Sequence, residues 1–565
     1  MLGPMTRYAD ATTVTVWLEA SGPCVAEVRC AGRRWGTSTF EVEGHHYALV
    51  VVDGLAPGTD APYAVALDGR ELWPDCAGWP GSRLRTRAPH APLGVAFGSC
   101  RVDRPHHAPW TLEPGVDPRG VGVDALTALA DGCARQERAL PDLLLLLGDQ
   151  VYADEGLAPQ LRLRQVLRRG PDSEPRGEVA DFEEYTWLYR HAWEDAGVRW
   201  LLSTVPSVMV FDDHDVRDDW NTSRAWQEQM AREEWWAERL TGAYMAYWLY
   251  QHLGNQSPAA LGEDGLLAAL QQPGSRGEAL RDVAARAGDE VDGHRASRWS
   301  HVHELGTARL VVVDSRSGRV LGPGRRAMLS EPEWQSLEHH LRGDCDHLLV
   351  ATTLPLLLER PVHDLQGWNE VVAGGAWGPR AARWGERLRQ ALDLEHWAAF
   401  RDSFDRLVHR LGEVGAGRLG AAPSTVLVLS GDVHHSYLAP VAYPSDRGVE
   451  SAVVQLVSSP LRNAVPRRLQ RAFGFARSRS ARLAGRLLAA SAGVPPPAVS
   501  WSATSPPLHG NTVATLRLDG TAAEVTIERA ERGDGRGVLR PVHRQRLDRH
   551  RADTRPVHGD VRGGA

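Results

Sequence analysis

The chain contains no lysine, so all 64 of its basic residues are arginine. That absence excludes a phosphate-loop lysine, a Schiff-base lysine and a lysine nucleophile. Cysteine is scarce as well. The six, Cys24, Cys30, Cys76, Cys100, Cys133 and Cys345, lack zinc-finger spacing, and a chain of 565 residues needs no disulfide framework. No apolar run approaches a membrane span, and the start, Met1-Leu2-Gly3-Pro4-Met5-Thr6-Arg7, has neither an apolar signal core nor a twin arginine. The expectation is a cytoplasmic protein. Excess positive charge is missing too: the formal net charge of −7 gives no electrostatic reason for a nucleic-acid partner. What is left, 42% hydrophobic and 24% charged residues, reads as soluble and globular. The length exceeds what one core usually serves, so two or more domains are expected.

Residues 1–90 alternate in period two, as in Thr13-Val14-Thr15-Val16-Trp17-Leu18 and Tyr47-Ala48-Leu49-Val50-Val51-Val52. Short strands at this spacing predict an N-terminal all-β sandwich resembling fibronectin type III modules, with Arg85 to Pro92 as linker. From Leu93 helical stretches alternate with buried-type strands: Val95–Phe97, Leu143–Leu147, Val208–Phe211, Leu310–Val313, Leu348–Thr352 and Val426–Leu429. That order predicts an α/β layered domain over 93–532. The block 224–298, rich in tryptophan, is predicted as a helical insert covering it. A basic stretch from Arg467 to about Leu488 reads as a solvated helix face, or as a cap that attracts anionic substrate. A hairpin, Thr512–Leu518 and Thr521–Ile527, closes the domain, and residues 533–565 read as a disordered tail.

Three of the buried-type strands stop at a carboxylate with histidine or tyrosine close behind: Gly148-Asp149-Gln150-Val151-Tyr152, Asp212-Asp213-His214-Asp215 and Gly431-Asp432-Val433-His434-His435. Ligands sit outside the carboxyl ends of such strands, so three such ends point to one metal centre. Asp149 can bridge two cations. Tyr152 adds a phenolate, which needs a strongly acidic metal such as ferric iron, because tyrosine ordinarily ionises near pH ~10. Cys100 would add a thiolate and His434 an imidazole, a transition-metal set. Asp213, Asp432 and the other oxygen of Asp149 form an all-oxygen group suited to calcium, magnesium or manganese, with Asp212, Asp219 and Asn221 nearby. Two unlike cations sharing Asp149 suit in-line attack at phosphorus, with His214 protonating the leaving oxygen.

Together, Gly98-Ser99-Cys100, Gly148-Asp149-Gln150-Val151-Tyr152, Asp212-Asp213-His214-Asp215 and Gly431-Asp432-Val433-His434 resemble the PhoD-like branch of the calcineurin-like metallophosphoesterases. The resemblance runs from about residue 93 to 530 and takes in Val313-Asp314-Ser315-Arg316 and Ser458-Ser459-Pro460-Leu461-Arg462-Asn463. The superfamily's usual second-block aspartate is Tyr152 here, its asparagine is Asp213, and the first histidine of its last block is Asp432. Its fourth-block histidine is missing from Ala351-Thr352-Thr353-Leu354-Pro355. The resemblance implies a four-layer α/β/β/α metallophosphoesterase domain holding Fe3+ and Ca2+, with Zn2+, Mn2+ or Mg2+ as alternatives.

The site expected on this basis is Cys100, Asp149, Tyr152 and His434 on iron, and Asp149, Asp213 and Asp432 on the second ion. Asp212 shares that role with Asp213 as an open choice. His214 is the acid and Asp215 a structural support. Arg101 is either a phosphate contact or half of a salt bridge, Arg462 and Asn463 have the same two readings, and His435 is a substrate contact or a bystander. The expected partner is a small phosphate mono- or diester, hydrolysed by a metal-activated hydroxide, and the sequence sets no oligomeric state. Two other classes stay open: a catalytically degenerate binding protein of the same fold, and a di-iron redox protein.

Overall fold

The computed structural model describes residues 1–75, 78–155, 157–289, 299–322, 324–465, 470, 477–533 and 535–547. The N-terminal part is two antiparallel sheets. One runs Leu2–Ala9, Val14–Ala20, His45–Val52, Phe40–Val42; the other runs Arg33–Ser38, Val25–Cys30, Asp60–Leu67, Arg70–Trp73, with Arg83–Arg85 against Asp60–Leu67. Period two explains the packing. Val14, Val16 and Leu18 join Ala26, Val28 and Val65 in a core between the sheets, while Trp17, Tyr47 and Leu49 belong to the core of the next region. Trp17 lies 5.5 Å from the ring of Tyr250 and 6.4 Å from that of Trp193. Buried Arg7 donates to Gln251 O and Asn255 Oδ1. The expected linker is tied down where it starts, Arg85 pairing with Asp142 at 2.8 Å and Arg87 N–H donating to Asp10 O.

An α/β region follows. Its first sheet runs Ser207–Val210, Leu143–Leu147, Leu93–Gly98, Thr512–Asp519, Ala522–Gly533, Arg536–Arg546. The second runs His301–Leu305, Ala308–Val313, His347–Thr352, Thr425–Ser430, Ala452–Val457, Tyr437–Ala442, Ser500–Trp501. Val95, Phe97, Leu143, Leu145 and Val208 share one core with Leu310, Val312, Leu349 and Leu427 of the other sheet. The alternate residues Ala96, Leu144 and Met209 face helices on one side, and Val311, Leu348 and Val426 face helices on the other. Strands covered on both faces read as continuous apolar runs, which is why they stood out in the sequence. Among the described residues no helix is long and apolar enough to cross a membrane.

The block 224–298 is helical as expected, from Arg224–Met230 to Glu278–Asp289, and residues 290–298 lie outside the described residues. Of the basic stretch, Arg467, Arg468 and Arg471 also lie outside them. Arg479–Ser491 is a helix whose Gly485 packs against Pro361 of the helix Arg360–Ala373. The tail needs correcting. Arg536–Arg546 is not disordered but an edge strand paired antiparallel with Ala522–Gly533. Its charge is that of a solvated sheet edge, with Arg544 on Glu524 and Arg536 on Glu137. Residues 548–565 lie outside the described residues.

Candidate metal centre

Parallel register aligns the strand ends of the first sheet: Gly98 faces Leu146, and Leu147 faces Val210. Two residues beyond each strand come Cys100, Asp149 and Asp212, and Asp432 has the same offset from Thr425–Ser430 of the second sheet. Cys100, Asp149 and Asp432 take left-handed backbone, at φ 57°, 49° and 66°, as does His434 at 52°. Such conformations cost about 1–3 kcal/mol each and cluster where function demands them. Glycines let the ends meet. A Cβ on Gly148 would lie 2.5 Å from Asp212 Oδ2, and one on Gly431 would lie 2.1 Å from Ser99 Oγ. That hydroxyl accepts the Asp432 N–H at 2.9 Å, joining the two sheets.

The ligand atoms of Asp149, Asp212 and Asp213 all lie within 4.8 Å of one another, and those of Asp213, His214 and Asp218 do the same. Asp149 Oδ1 and Asp212 Oδ2 are buried without a hydrogen-bond partner. Burial, then the charge of Asp212, pushes the Asp149 carboxyl well above the usual range. Burial raises Asp212 and Asp213 too, although Arg316 opposes the rise in both. Unpaired buried carboxylate oxygens facing one another are relieved by a cation. This donor set fits one.

Cys100 is fully buried, its Sγ 3.1 Å from Ser99 Oγ, 3.4 Å from Ser459 Oγ and 3.6 Å from Asp432 O. Tyr152 donates to Asp149 Oδ2 at 3.3 Å and accepts from Asn463 Nδ2 at 3.2 Å. Burial and then the Asp149 charge hold both groups above their ordinary pKa, so each needs a nearby cation to ionise. Burial lowers His434 to about 4, which keeps its imidazole neutral, as a metal ligand must be. Cys100, His434 and Asp432 belong to neither convergent group. The Asp432 carboxylate is taken up by Arg316 Nη2 and His396 Nε2, each at 3.2 Å.

His214 lies with Nδ1 2.9 Å from Asp154 Oδ2 and its ring 4.5 Å from that of Tyr152. Burial opposes its charge, but Asp154 and Asp149 more than offset this and lift its pKa well above the ordinary value. Asp215 accepts from the backbone N–H groups of Asp212 and Val151, at 3.0 and 3.3 Å, the support expected of it. Asp219 N–H donates to Asp213 Oδ2 at 3.2 Å, and Asn221 Nδ2 donates to Arg316 O. His435 Nδ1 lies 2.7 Å from Val433 O and its ring stacks on Tyr437. His214, His434, His435, Asp149 and Asp213 all line one cavity of about 330 Å³.

Arg101 lies in a salt bridge. Its buried guanidinium donates to Asp124 Oδ2 at 2.9 Å and to Ala192 O at 3.1 Å, the salt-bridge reading. Arg462 is likewise engaged, by Arg104 O and Pro105 O. Four groups carried no role in the sequence reading: Asp154, Arg316, Glu395 and His396. Asp154 could have been found two residues beyond Tyr152 in the same loop. Arg316 stood in a quoted motif. Glu395 and His396, ahead of a short helical turn, gave no signal.

The strand-end cluster is a set of carboxylates, in an α/β fold, that could hold a metal ion. Residues 130–269, which hold Asp149, Tyr152, Asp212, Asp213 and His214, match the family model described as PhoD-like phosphatase. The match covers that stretch, and likeness of fold extends over nearly the full length. A solved structure described as "Structure of PhoD" aligns with a TM-score of 0.58 at 13% identity, over 97% of this chain and 90% of that one. Residues 1–82 match a domain of unknown function, DUF7800. A maltogenic amylase from S. marinus aligns with a TM-score of only 0.19 at 8% identity, over 95% of this chain and 80% of that one. No curated protein matches the sequence.

Proposed function

We propose that the chain is a metal-dependent phosphoesterase acting on small phosphate mono- or diesters. The observation that carries this is the pair of buried, unpartnered oxygens, Asp149 Oδ1 and Asp212 Oδ2, beside a cavity that also presents His214. Cys100, Asp149, Tyr152 and His434 would hold iron; Asp149, Asp213 and Asp432, with Asp212, would hold a second ion such as calcium. A bound cation supplies Lewis-acid polarisation of the phosphoryl group. His214, protonated and fixed by Asp154, donates its proton to the leaving oxygen. The layered sheets fit a four-layer α/β/β/α metallophosphoesterase domain, and the leading module a fibronectin type III-like sandwich.

The test is metal analysis and a visible spectrum of protein purified without chelators, with hydrolysis of bis(4-nitrophenyl) phosphate as the activity. A tyrosinate–iron(III) band lost in Tyr152→Phe supports the iron site; a zinc pair without that band sinks it. Asp213→Ala should reduce hydrolysis at least a hundredfold while its far-UV circular dichroism stays unchanged. Full activity in that variant removes Asp213 from the site.

A further inference from the structure

Arg316 is fully buried and its guanidinium is spent on four carboxylates. Nε donates to Asp212 Oδ1, Nη1 to Glu395 Oε1, and Nη2 to both Asp213 Oδ1 at 2.9 Å and Asp432 Oδ1 at 3.2 Å. Glu395 is held from behind by Arg319 Nη1 at 2.9 Å and by Thr222 Oγ1 at 2.7 Å. Guanidinium stays charged throughout the pH range of folded proteins, and its planar fork fixes where that charge sits. Asp213 and Asp432, and Asp212 beside them, all read for the second ion, therefore already share a cation. The two unpartnered oxygens, Asp149 Oδ1 and Asp212 Oδ2, are ones Arg316 does not touch.

We infer that Arg316 is a built-in counter-cation for the Asp213–Asp432 side of the site, so that one metal ion is held tightly and a second only weakly. A divalent ion among Asp213 and Asp432 would sit beside a fixed positive charge and, unless it displaced Nη2, would be left with Oδ2 of each, which already meet Asp219 N–H and His396 Nε2. In a buried site like charges at contact range are poorly screened, so the second ion loses affinity, while Cys100, Asp149, Tyr152 and His434, the ligands read for the first, are not among the four carboxylates Arg316 holds. Arg316 is a positioning residue in this scheme. It orients four carboxylates and sets how many ions they take. The inference rests on the phosphoesterase reading only for the identity of the site; its own readout is ion binding.

The experiment is equilibrium dialysis of the full chain against calcium chloride, with elemental analysis of bound ions, for the wild type, Arg316→Met and Arg316→Lys. The wild type should keep one ion per chain through dialysis into calcium-free buffer and bind calcium weakly beyond it. Arg316→Met, which removes the charge but keeps most of the volume, should bind that calcium at least tenfold more tightly. Arg316→Lys, which keeps the charge, should stay within threefold of the wild type. A wild type that retains two ions, or a Met variant that binds calcium no better, overturns the inference. Should the Met variant not fold, the ion count of the wild type decides by itself. Absence of hydrolysis with the tight ion in place would count against the phosphoesterase reading and leave the ion count standing.

Discussion

His214 shows how much a single neighbour can set. Its pKa is raised because Asp154 and Asp149 outweigh burial, and of the two Asp154 makes the direct contact. Asp154→Asn keeps the shape and removes the charge, so the His214 pKa falls. A general acid works only while protonated, hence the alkaline limb of the kcat/KM profile should move to lower pH, by about 1–3 units. A profile that does not move would show that His214 is not the acid. The strand-end positions Cys100, Asp149, Asp212 and Asp432 were legible in the sequence because each lies two residues beyond an apolar run, which is local information. Arg316, Glu395 and His396 were not legible, since the partners of Arg316 lie 79 to 116 residues away along the chain. Only the closing of two sheets reveals which carboxylates it meets.

Strands and their turns carry the next level. Gly431 leaves no room for a side chain between Ser99 and the turn into Asp432. Gly431→Ala forces the ends of the two sheets apart, with a cost of about 1–3 kcal/mol typical of overpacking. Urea unfolding should show that loss, and metal content should fall with it; unchanged stability would mean that the sheets slide freely at this point. Most strands were legible for a reason the fold makes plain: both sheets are covered on both faces, so their strands are unbroken apolar runs. The edge strand Arg536–Arg546 lacked that signal. Its side chains are all partly or fully exposed, and only Leu539 and Val542 pack against the cores, so its apolar content gave too little to read.

Across the whole molecule the N-terminal sheets are built into the fold, and the joint is sensitive to acid. His252 and His301 are buried close to Arg7, and burial, followed by neighbouring positive charge, lowers each to about 3; His303 is lowered still further. In the unfolded chain these side chains take up protons near pH ~6.5. Between pH 6.5 and 3 the unfolded state therefore binds more protons than the folded one, and stability falls as pH falls. The loss is about 1.4 kcal/mol per pH unit for each histidine that remains neutral in the fold. Thermal melts at pH 7, 6 and 5 should show a stepwise drop, reduced in His252→Gln. A melting temperature flat across that range would place these side chains in contact with solvent. The β-strand pattern of residues 1–90 was legible from period two, but not that its first sheet would be buried on the outside as well, because Trp17 and Tyr47 look alike whether they face solvent or a second core.

The bond that joins Asp432 N–H to Ser99 Oγ spans 333 positions of the chain. A ribosome adding roughly 5–20 residues per second needs about 17 to 67 s to deliver one partner after the other. The turn that bears Cys100 can meanwhile pair with Gly148 O and Asp149 O of its own sheet, but Asp432 and His434 have yet to be made, so the proposed set of ligands would stay incomplete throughout that interval. On the proposed ligand set, loading with metal would be an event of late translation or after release, and uptake of an ion by a nascent chain would mark the moment the second sheet arrives.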